Sequence, residues 1–287
     1  MFKKASNIFI LTLIFIAFAC TKNVEVKLPE YKQYLVVEGS IEPGQKAKVY
    51  LSYTIPYFGS SSVNNLADFA VKGALVTVSD GTTIDTLKEL LPTTGYFYQA
   101  PNMTGVVGRN YLLTIVVNGK TYTSQTSILQ PVPLDSLWNK HEGNDSLGFV
   151  WARLNEPAGL GDAYRWYAKR IGKDNDFIAP FGSSFEDKFV DGKNFDFAYD
   201  RGTIDNSTAT DDNNIEKGYF KIGDKIVVKF CHIGMKEYRF MRSRDASILS
   251  NGNPFAAPSN VESNVYGENV IGLWCGYSPS LDTVTFQ

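Results

Sequence analysis

Residues 111–126 have the sequence YLLTIVVNGKTYTSQT, with Asn118 and Gly119 at its centre. An Asn-Gly pair between two runs of strand-forming residues is typical of a two-residue hairpin turn, because both turn positions need a positive φ. The β-branched and aromatic residues on either side favour strands over helices. This stretch therefore predicts a β-hairpin with strands at 111–117 and 120–126.

The same pattern extends over residues 34–130. Asp80 and Gly81 predict a second tight hairpin, and apolar residues alternate with polar ones through residues 47–53, as in a strand with one buried face. In all, the region holds about seven short strands separated by turn residues. We therefore predict a mainly β fold that begins with a β-sandwich of immunoglobulin or fibronectin-III type at residues 34–130.

A second region follows the stiff join at residues 131–133, whose sequence is Pro-Val-Pro. Strand-like segments continue in this region and close with strands at 271–277 and 283–286. One amphipathic stretch at about residues 236–249 predicts a single packed helix. We therefore predict a second, β-rich domain with one helix at residues 134–287.

Composition limits the classes of protein that this chain can belong to. Hydrophobic residues make up 44% of the chain and charged residues 20%, so a disordered protein is excluded. The formal net charge is −2, which provides no field that would attract nucleic acid. We therefore expect an ordered protein with no nucleic-acid partner.

The first residues form a targeting signal. Lys3 and Lys4 precede an apolar stretch from Ile8 to Ala19, which would span roughly 18 Å as a helix, whereas the hydrocarbon core of a bilayer is roughly 30 Å thick. Such a segment is typical of a signal peptide, which the mature protein lacks. We predict a signal peptide at residues 1–19 and a short polar tether at residues 20–33.

Cys20 stands directly after the apolar stretch. The sequence Ala17-Phe18-Ala19-Cys20 resembles the lipobox of bacterial lipoproteins, in which small residues precede a lipidated cysteine. The alternative is an ordinary secretory signal followed by a chance cysteine. We predict that Cys20 is lipidated. Two or more acyl chains, such as palmitate, would anchor the protein stably in a membrane.

Two further cysteines, Cys231 and Cys275, fall in strand-like segments. A lipoprotein of the cell envelope is in an oxidising compartment, where disulfides persist. A disulfide between these residues is therefore one interpretation. The other is a pair of buried free thiols, because unpaired cysteine packs well as a small hydrophobic residue.

Catalytic motifs are missing from the sequence. His141 and His232 are its two histidines, and it has no G-x-S-x-G elbow, no H-E-x-x-H metal motif and no phosphate-binding glycine loop. A structural histidine is the preferred interpretation of His232. We therefore predict that the protein is not an enzyme and holds no metal and no cofactor.

One aromatic stretch stands out in the second region. Phe177, Phe181, Phe185 and Phe189 are interleaved with acidic residues, and their spacing fits neither a helix nor a long strand. Two interpretations stay open. The stretch buries its rings as a small core of its own, or the four phenylalanines form a partner surface, because interface centres favour aromatic residues.

Several short motifs follow one another beyond Cys20. They are Leu35-Val36-Val37-Glu38-Gly39, Gly95-Tyr96-Phe97-Tyr98, Asp135-Ser136-Leu137-Trp138, Asn253-Pro254-Phe255, Gly272-Leu273-Trp274 and Gly276-Tyr277-Ser278. In this order they resemble the DUF4249 family, lipoproteins of Bacteroidota. The resemblance spans nearly the whole mature chain. It implies no assigned activity and no catalytic residues.

The resemblance does imply a location and a partner. Members are attached to the outer membrane, and their genes commonly lie beside those of TonB-dependent transporters. Surface-exported lipoproteins of this phylum often carry an acidic run after the lipidated cysteine, whereas residues 21–25 hold one acid, Glu25. The expected location is thus the outer membrane, through the lipid on Cys20, at either its periplasmic or its cell-surface face.

Two functions follow as expectations. The first is a non-enzymatic accessory or substrate-capturing partner of a TonB-dependent transporter, with an unknown ligand. The second is a free-standing carbohydrate-binding or adhesive surface lipoprotein, since exposed tryptophans stack on sugars. The chain has Trp138, Trp151, Trp166 and Trp274, although tryptophan is on average highly buried and the core is their expected place.

Overall fold

The computed structural model describes residues 31–55, 69–91, 95–143, 146–202, 218–250 and 260–287. Residues Gln33–Gln287 form one compact unit. The predicted signal peptide, Cys20 and most of the tether lie outside the described residues. The predictions made for them therefore stay predictions.

Strands dominate the described residues. In chain order they are β1 Leu35–Ile41, β2 Lys46–Tyr53, β3 Leu75–Ser79, β4 Ile84–Thr86, β5 Lys88–Leu90, β6 Phe97–Thr104, β7 Asn110–Val117, β8 Lys120–Ser127, β9 Ser136–His141, β10 Leu147–Asn155, β11 Ala163–Arg170, β12 Ser184–Glu186, β13 Asn194–Tyr199, β14 Phe220–Lys221, β15 Lys225–Ile233, β16 Val270–Gly276 and β17 Ser278–Thr285. The helix is α1, Met235–Ser250, and a short 3-10 turn covers Asp187–Phe189. The prediction of a mainly β fold with one packed helix is confirmed.

The first sandwich is built from two sheets. One has the strand order β16-β1-β2-β6-β5 and the other has the order β4-β3-β7-β8. The predicted hairpin is strands β7 and β8, with φ of 51° at Asn118 and 72° at Gly119. Alternate residues of each strand point between the sheets. They form a core that includes Val37, Val49, Leu51, Val76, Val78, Tyr98, Tyr111, Leu113, Ile115 and Trp274.

Strand β16 corrects the predicted domain organisation. It pairs in parallel with β1, from Leu35 beside Val270 to Ile41 beside Gly276. The closing strand expected in the second region therefore belongs to the first sandwich. Its run of apolar residues is buried on both faces, as is usual for strands in parallel pairs.

The second sandwich pairs two four-stranded sheets. In one, β10 pairs with β9, β13 and β14; the other has the order β12-β11-β15-β17. Aromatic rings fill the space between the sheets. The buried rings are Tyr164, Trp166, Phe220, Phe230 and Phe286, with Phe185, Phe195, Phe197 and Tyr199 packed against them.

Helix α1 packs where the two sandwiches meet. Its Tyr238 and Met241 join a third apolar cluster with Leu273 of β16 and Ile233 of β15. This cluster covers the outer face of β16, while Trp274 points the other way into the first core. The helix thus fixes both sandwiches within one compact unit.

Cys231 and Cys275 lie in this third cluster and are both buried free thiols. The structure does not form the disulfide that was one of the two interpretations and shows the other. Burial raises the pKa of the Cys231 thiol to about 12 and that of Cys275 well above its usual value. Both thiols are therefore protonated and act as apolar packing groups.

Candidate functional site

A cleft of about 780 Å³ opens where the two sandwiches diverge. Ligand sites of this size are commonly found at the junction of two domains. Strands β1, β2 and β6 form its floor, and a loop after β11 forms its wall together with β15 and β17. The polar residues of the lining include Ser40, Glu42, Gln45, Lys46, Lys48, Gln99, Thr104, Asp176 and Lys229.

The floor is polar because of the two-residue period of strand β2. Ala47 and Val49 point into the first core, so Lys48 and Tyr50 point away from it. Gln99 of β6 lies directly across from Lys48 in the sheet. The cleft lies over this outer face of strands β1, β2 and β6.

An aromatic ring lies against the cation of Lys48. Its Nζ lies 4.8 Å from the centre of the Phe97 ring, and the Tyr50 ring lies 5.5 Å from that of Phe97. Partial burial, and then the charges of Glu38 and Asp176, raise the pKa of Tyr50. The phenol is therefore neutral at neutral pH.

Lys229 projects from the wall and is held by groups of the protein. Its Nζ forms an ion pair with Glu42 and lies 5.5 Å from the ring centres of Tyr167 and Phe177 and 5.8 Å from that of Tyr277. Lys229 and Glu42 therefore neutralise each other's charge. The cations left for a ligand are Lys46 and Lys48.

The four phenylalanines of the predicted partner surface do not lie on one surface. Phe185 packs in the second core against Tyr164, Phe197 and Phe230, so including it was wrong. The other three phenylalanines lie in different places, because Phe177 and Phe181 belong to the loop before β12 and Phe189 ends the 3-10 turn after it. Phe177 lines the cleft, whereas Phe181 is 51% exposed and Phe189 is 79% exposed.

The tryptophans divide into two groups. Trp166 and Trp274 are fully buried, as expected. Trp138 and Trp151 are cross-strand partners on β9 and β10, on the face turned away from the second core, with ring centres 6.3 Å apart and planes 25° apart. Lys140 lies 4.8 Å from the Trp151 ring, and Arg153 lies 5.9 Å from the Trp138 ring. We call these four residues the tryptophan ladder.

Three carboxylates that the sequence analysis did not single out lie close together. One oxygen from each of Glu156, Asp162 and Asp187 falls within 4.8 Å of the others, so these residues are the described group that could hold a metal ion. Backbone amides already donate to them: Gly192 to Glu156 at 2.7 Å and Gly161 to Asp187 at 2.7 Å. Burial raises the pKa of Glu156. These bonds tie the loop after β10 to the 3-10 turn.

His232 lies beside this cluster and has partners for both ring nitrogens. Nδ1 is 2.7 Å from the carbonyl oxygen of Gln130, and Nε2 is 3.1 Å from Oδ1 of Asp162. The Tyr164 ring stacks on the imidazole at 5.2 Å. This arrangement matches the interpretation of His232 as a structural histidine.

The family model described as "Domain of unknown function (DUF4249)" matches residues 21–281. The chain belongs to the DUF4249 family. The match covers both sandwiches and the cleft of this DUF4249 protein and confirms the resemblance found in its sequence motifs. No curated protein matches the chain. In the described residues, no helix is both long and apolar enough to span a bilayer.

Proposed function

We propose that this DUF4249 protein is a non-enzymatic outer-membrane lipoprotein that captures a ligand for a TonB-dependent transporter. The observation that carries the proposal is the cleft of about 780 Å³ between the two sandwiches. Its size lies in the range of small-molecule sites, and its lining combines polar, charged and aromatic groups. Such a lining can bind and orient a ligand.

The lining also favours binding over catalysis. Its two acids are Glu42, which is paired with Lys229, and Asp176, which is exposed. An acid-base pair needs two groups whose environments separate their pKa values, and a nucleophile needs an adjacent base. Among the residues that line the cleft, no histidine, cysteine or serine-base pair offers this arrangement.

Attachment through Cys20 supports the location. The cysteine follows an apolar stretch too short to cross a bilayer, and the family match begins at residue 21, directly after it. Lipidation at this position would place the whole matched region outside the membrane on a short tether. A transporter in the same membrane would then be within reach of the cleft.

Co-purification from outer membranes tests the partnership. The tagged protein would be extracted in a mild detergent and captured, and the bound proteins identified by mass spectrometry. We expect a TonB-dependent transporter in near-stoichiometric amount. Replacing Cys20 with alanine provides the control, because the unanchored protein should lose both the acyl chains and most of the transporter. Capture of the anchored protein alone would contradict the proposal.

The tryptophan ladder supports a second candidate, a carbohydrate-binding or adhesive lipoprotein. The indole rings of Trp138 and Trp151 lie on an outer sheet face, and the buried Nε1 of Trp151 has no hydrogen-bond partner in the described structure. Paired indole rings on an outer sheet face suit the apolar face of a sugar. Glycan-array binding that Trp138→Ala abolishes would favour this function over the first.

A further inference from the structure

We propose that the cleft binds a saccharide that carries carboxylate groups. This inference rests on the ligand-capturing part of the proposed function and names the class of ligand. Three properties of the cleft support it: the sign of its free charge, the set of its hydrogen-bonding groups and the position of its aromatic rings.

The free charge of the cleft is positive. Lys229 and Glu42 neutralise each other, which leaves Lys46 and Lys48 against Asp176. Neither Lys46 nor Lys48 has a carboxylate partner in the described part of the protein. A lysine that faces a cleft without an anion is available for an acidic ligand, and hydrogen bonds between charged groups are about twice as strong as neutral ones.

The uncharged polar groups suit a ligand with many hydroxyls. Ser40, Gln45, Gln99 and Thr104 line the same cleft and offer both donors and acceptors. Asp176 adds an acceptor for the hydroxyl hydrogens of the ligand. A compact anion such as phosphate would use the lysines and leave these groups to water, whereas a carboxylated sugar engages both sets.

One aromatic ring of the lining, Phe177, can contact the carbon face of a sugar, and Phe97 and Tyr50 lie beside the floor lysine Lys48. Phe177 lines the wall, and Phe97 lies beneath the Lys48 ammonium, 4.8 Å from it. Tyr50 is 41% exposed beside Phe97. A ring-shaped ligand can therefore contact the Phe177 ring of the wall while Lys46 and Lys48 of the floor meet its carboxylate.

Calorimetric titration of the full mature protein, purified in detergent, tests the inference. The acidic probes are trigalacturonate, a hyaluronan tetrasaccharide and 3′-sialyllactose. Their neutral counterparts are methyl-esterified trigalacturonate and lactose. We expect at least one acidic probe to bind, and its neutral counterpart to bind at least 10-fold more weakly, because the ester or the missing sialate removes the anion.

Two lysine variants assign the binding to the cleft. Lys46→Gln and Lys48→Gln should each weaken binding of the acidic probe by about 10-fold or more, the effect of losing one charged hydrogen bond. Lys225→Gln is the matched control, because this exposed lysine lies at the start of β15 outside the cleft lining. An unchanged melting temperature would show that the variants are folded.

Three results would overturn the inference. They are no binding of any acidic probe, equal binding of acidic and neutral counterparts, or equal loss of affinity in the Lys225→Gln control. A fourth result, an inorganic phosphate titration with the same affinity, would also overturn it, because it would assign the site to small anions. Because these measurements need no transporter, failure here is separate from failure of the co-purification experiment.

Discussion

Aliphatic side chains dominate the core of the first sandwich, whereas aromatic rings make up nearly half of the core of the second. Val37, Val49, Leu113 and Ile115 are typical of the first core. In the second, the rings of Tyr164, Phe185, Phe197 and Phe230 contact one another, with centres from 5.1 to 6.2 Å apart.

The two sandwiches are therefore stabilised by different kinds of core side chain. Short hairpins with strict alternation give the first core many small contacts, each of modest value. The second core depends on a few large side chains, and an aromatic residue buries 150–250 Å². A single core substitution should therefore lower the free energy of unfolding more in the second sandwich than in the first. The variants below test this difference.

The largest effect is expected at Phe185. Phe185→Ala removes a ring that contacts four other rings of the second core, which should lower the free energy of unfolding by about 3 kcal/mol. Denaturant unfolding measures the change. Phe189→Ala is the matched control, because this exposed ring should contribute less than about 0.5 kcal/mol. Equal effects of the two variants would contradict the ring-dependent core.

A smaller effect is expected at Gly39 in the first sandwich. A Cβ at this position would lie 2.7 Å from Cε3 of Trp274 and 3.3 Å from Cγ2 of Val49. Gly39→Ala should therefore overpack the core and cost about 1–3 kcal/mol. Ser40→Ala, the next residue and on the opposite face, should change the stability little. A neutral Gly39→Ala would show that the indole moves aside.

Glu237 lies on helix α1, between the two sandwiches and outside both of their cores. Its substitution therefore tests how a buried polar group affects the stability of the junction. Its buried carboxyl accepts hydrogen bonds from Thr126 Oγ1 at 2.7 Å and Asn264 Nδ2 at 3.3 Å. Burial raises its pKa in the folded protein. The fold therefore holds the proton more tightly than the unfolded chain does, and this stabilisation is lost as the pH rises through the folded pKa.

Glu237→Gln should abolish this pH-dependent loss of stability. The amide side chain stays neutral as the pH rises and still has an oxygen that accepts hydrogen bonds. Relative to the wild type, the variant should gain stability as the pH rises from about 4.5 towards 7, by less than the change at Gly39. Thermal unfolding across this range measures the difference. The exposed Glu268→Gln is the control. A difference that does not vary with pH would contradict the raised pKa.

The smallest effect on stability is expected on the surface. Replacing Phe181 and Phe189 with serine should change the free energy of unfolding by less than about 0.5 kcal/mol, since both rings are exposed. If these two residues are what remains of the predicted partner surface, the double variant should capture less transporter. Unchanged capture would remove both residues from the interface.

Local signals in the sequence were enough to predict much of the fold. The Asn118-Gly119 turn and the helix at 236–249 follow from backbone preferences that act over a few residues, and the structure has both. The position of β16 could not be predicted in this way, because its partner β1 lies at the other end of the folded unit.

The candidate site was less predictable than the fold. Phe177 was noticed for its place in an aromatic stretch, yet its role in the cleft depends on how β15 and β17 lie against the first sandwich. Lys46 and Lys48 looked like ordinary outward residues of a strand. Trp138 and Trp151 are separated in sequence and meet only because β9 and β10 pair in the observed register.

The pairing of β16 with β1 also sets an order of events during synthesis. Residues 270–276 supply both an edge strand and the Trp274 ring of the first core, so a ribosome must make almost the whole chain before that sandwich is complete. Contacts between distant parts of a chain form slowly, since a long loop must close first. The pairing of β16 with β1 is therefore the step that completes the first sandwich.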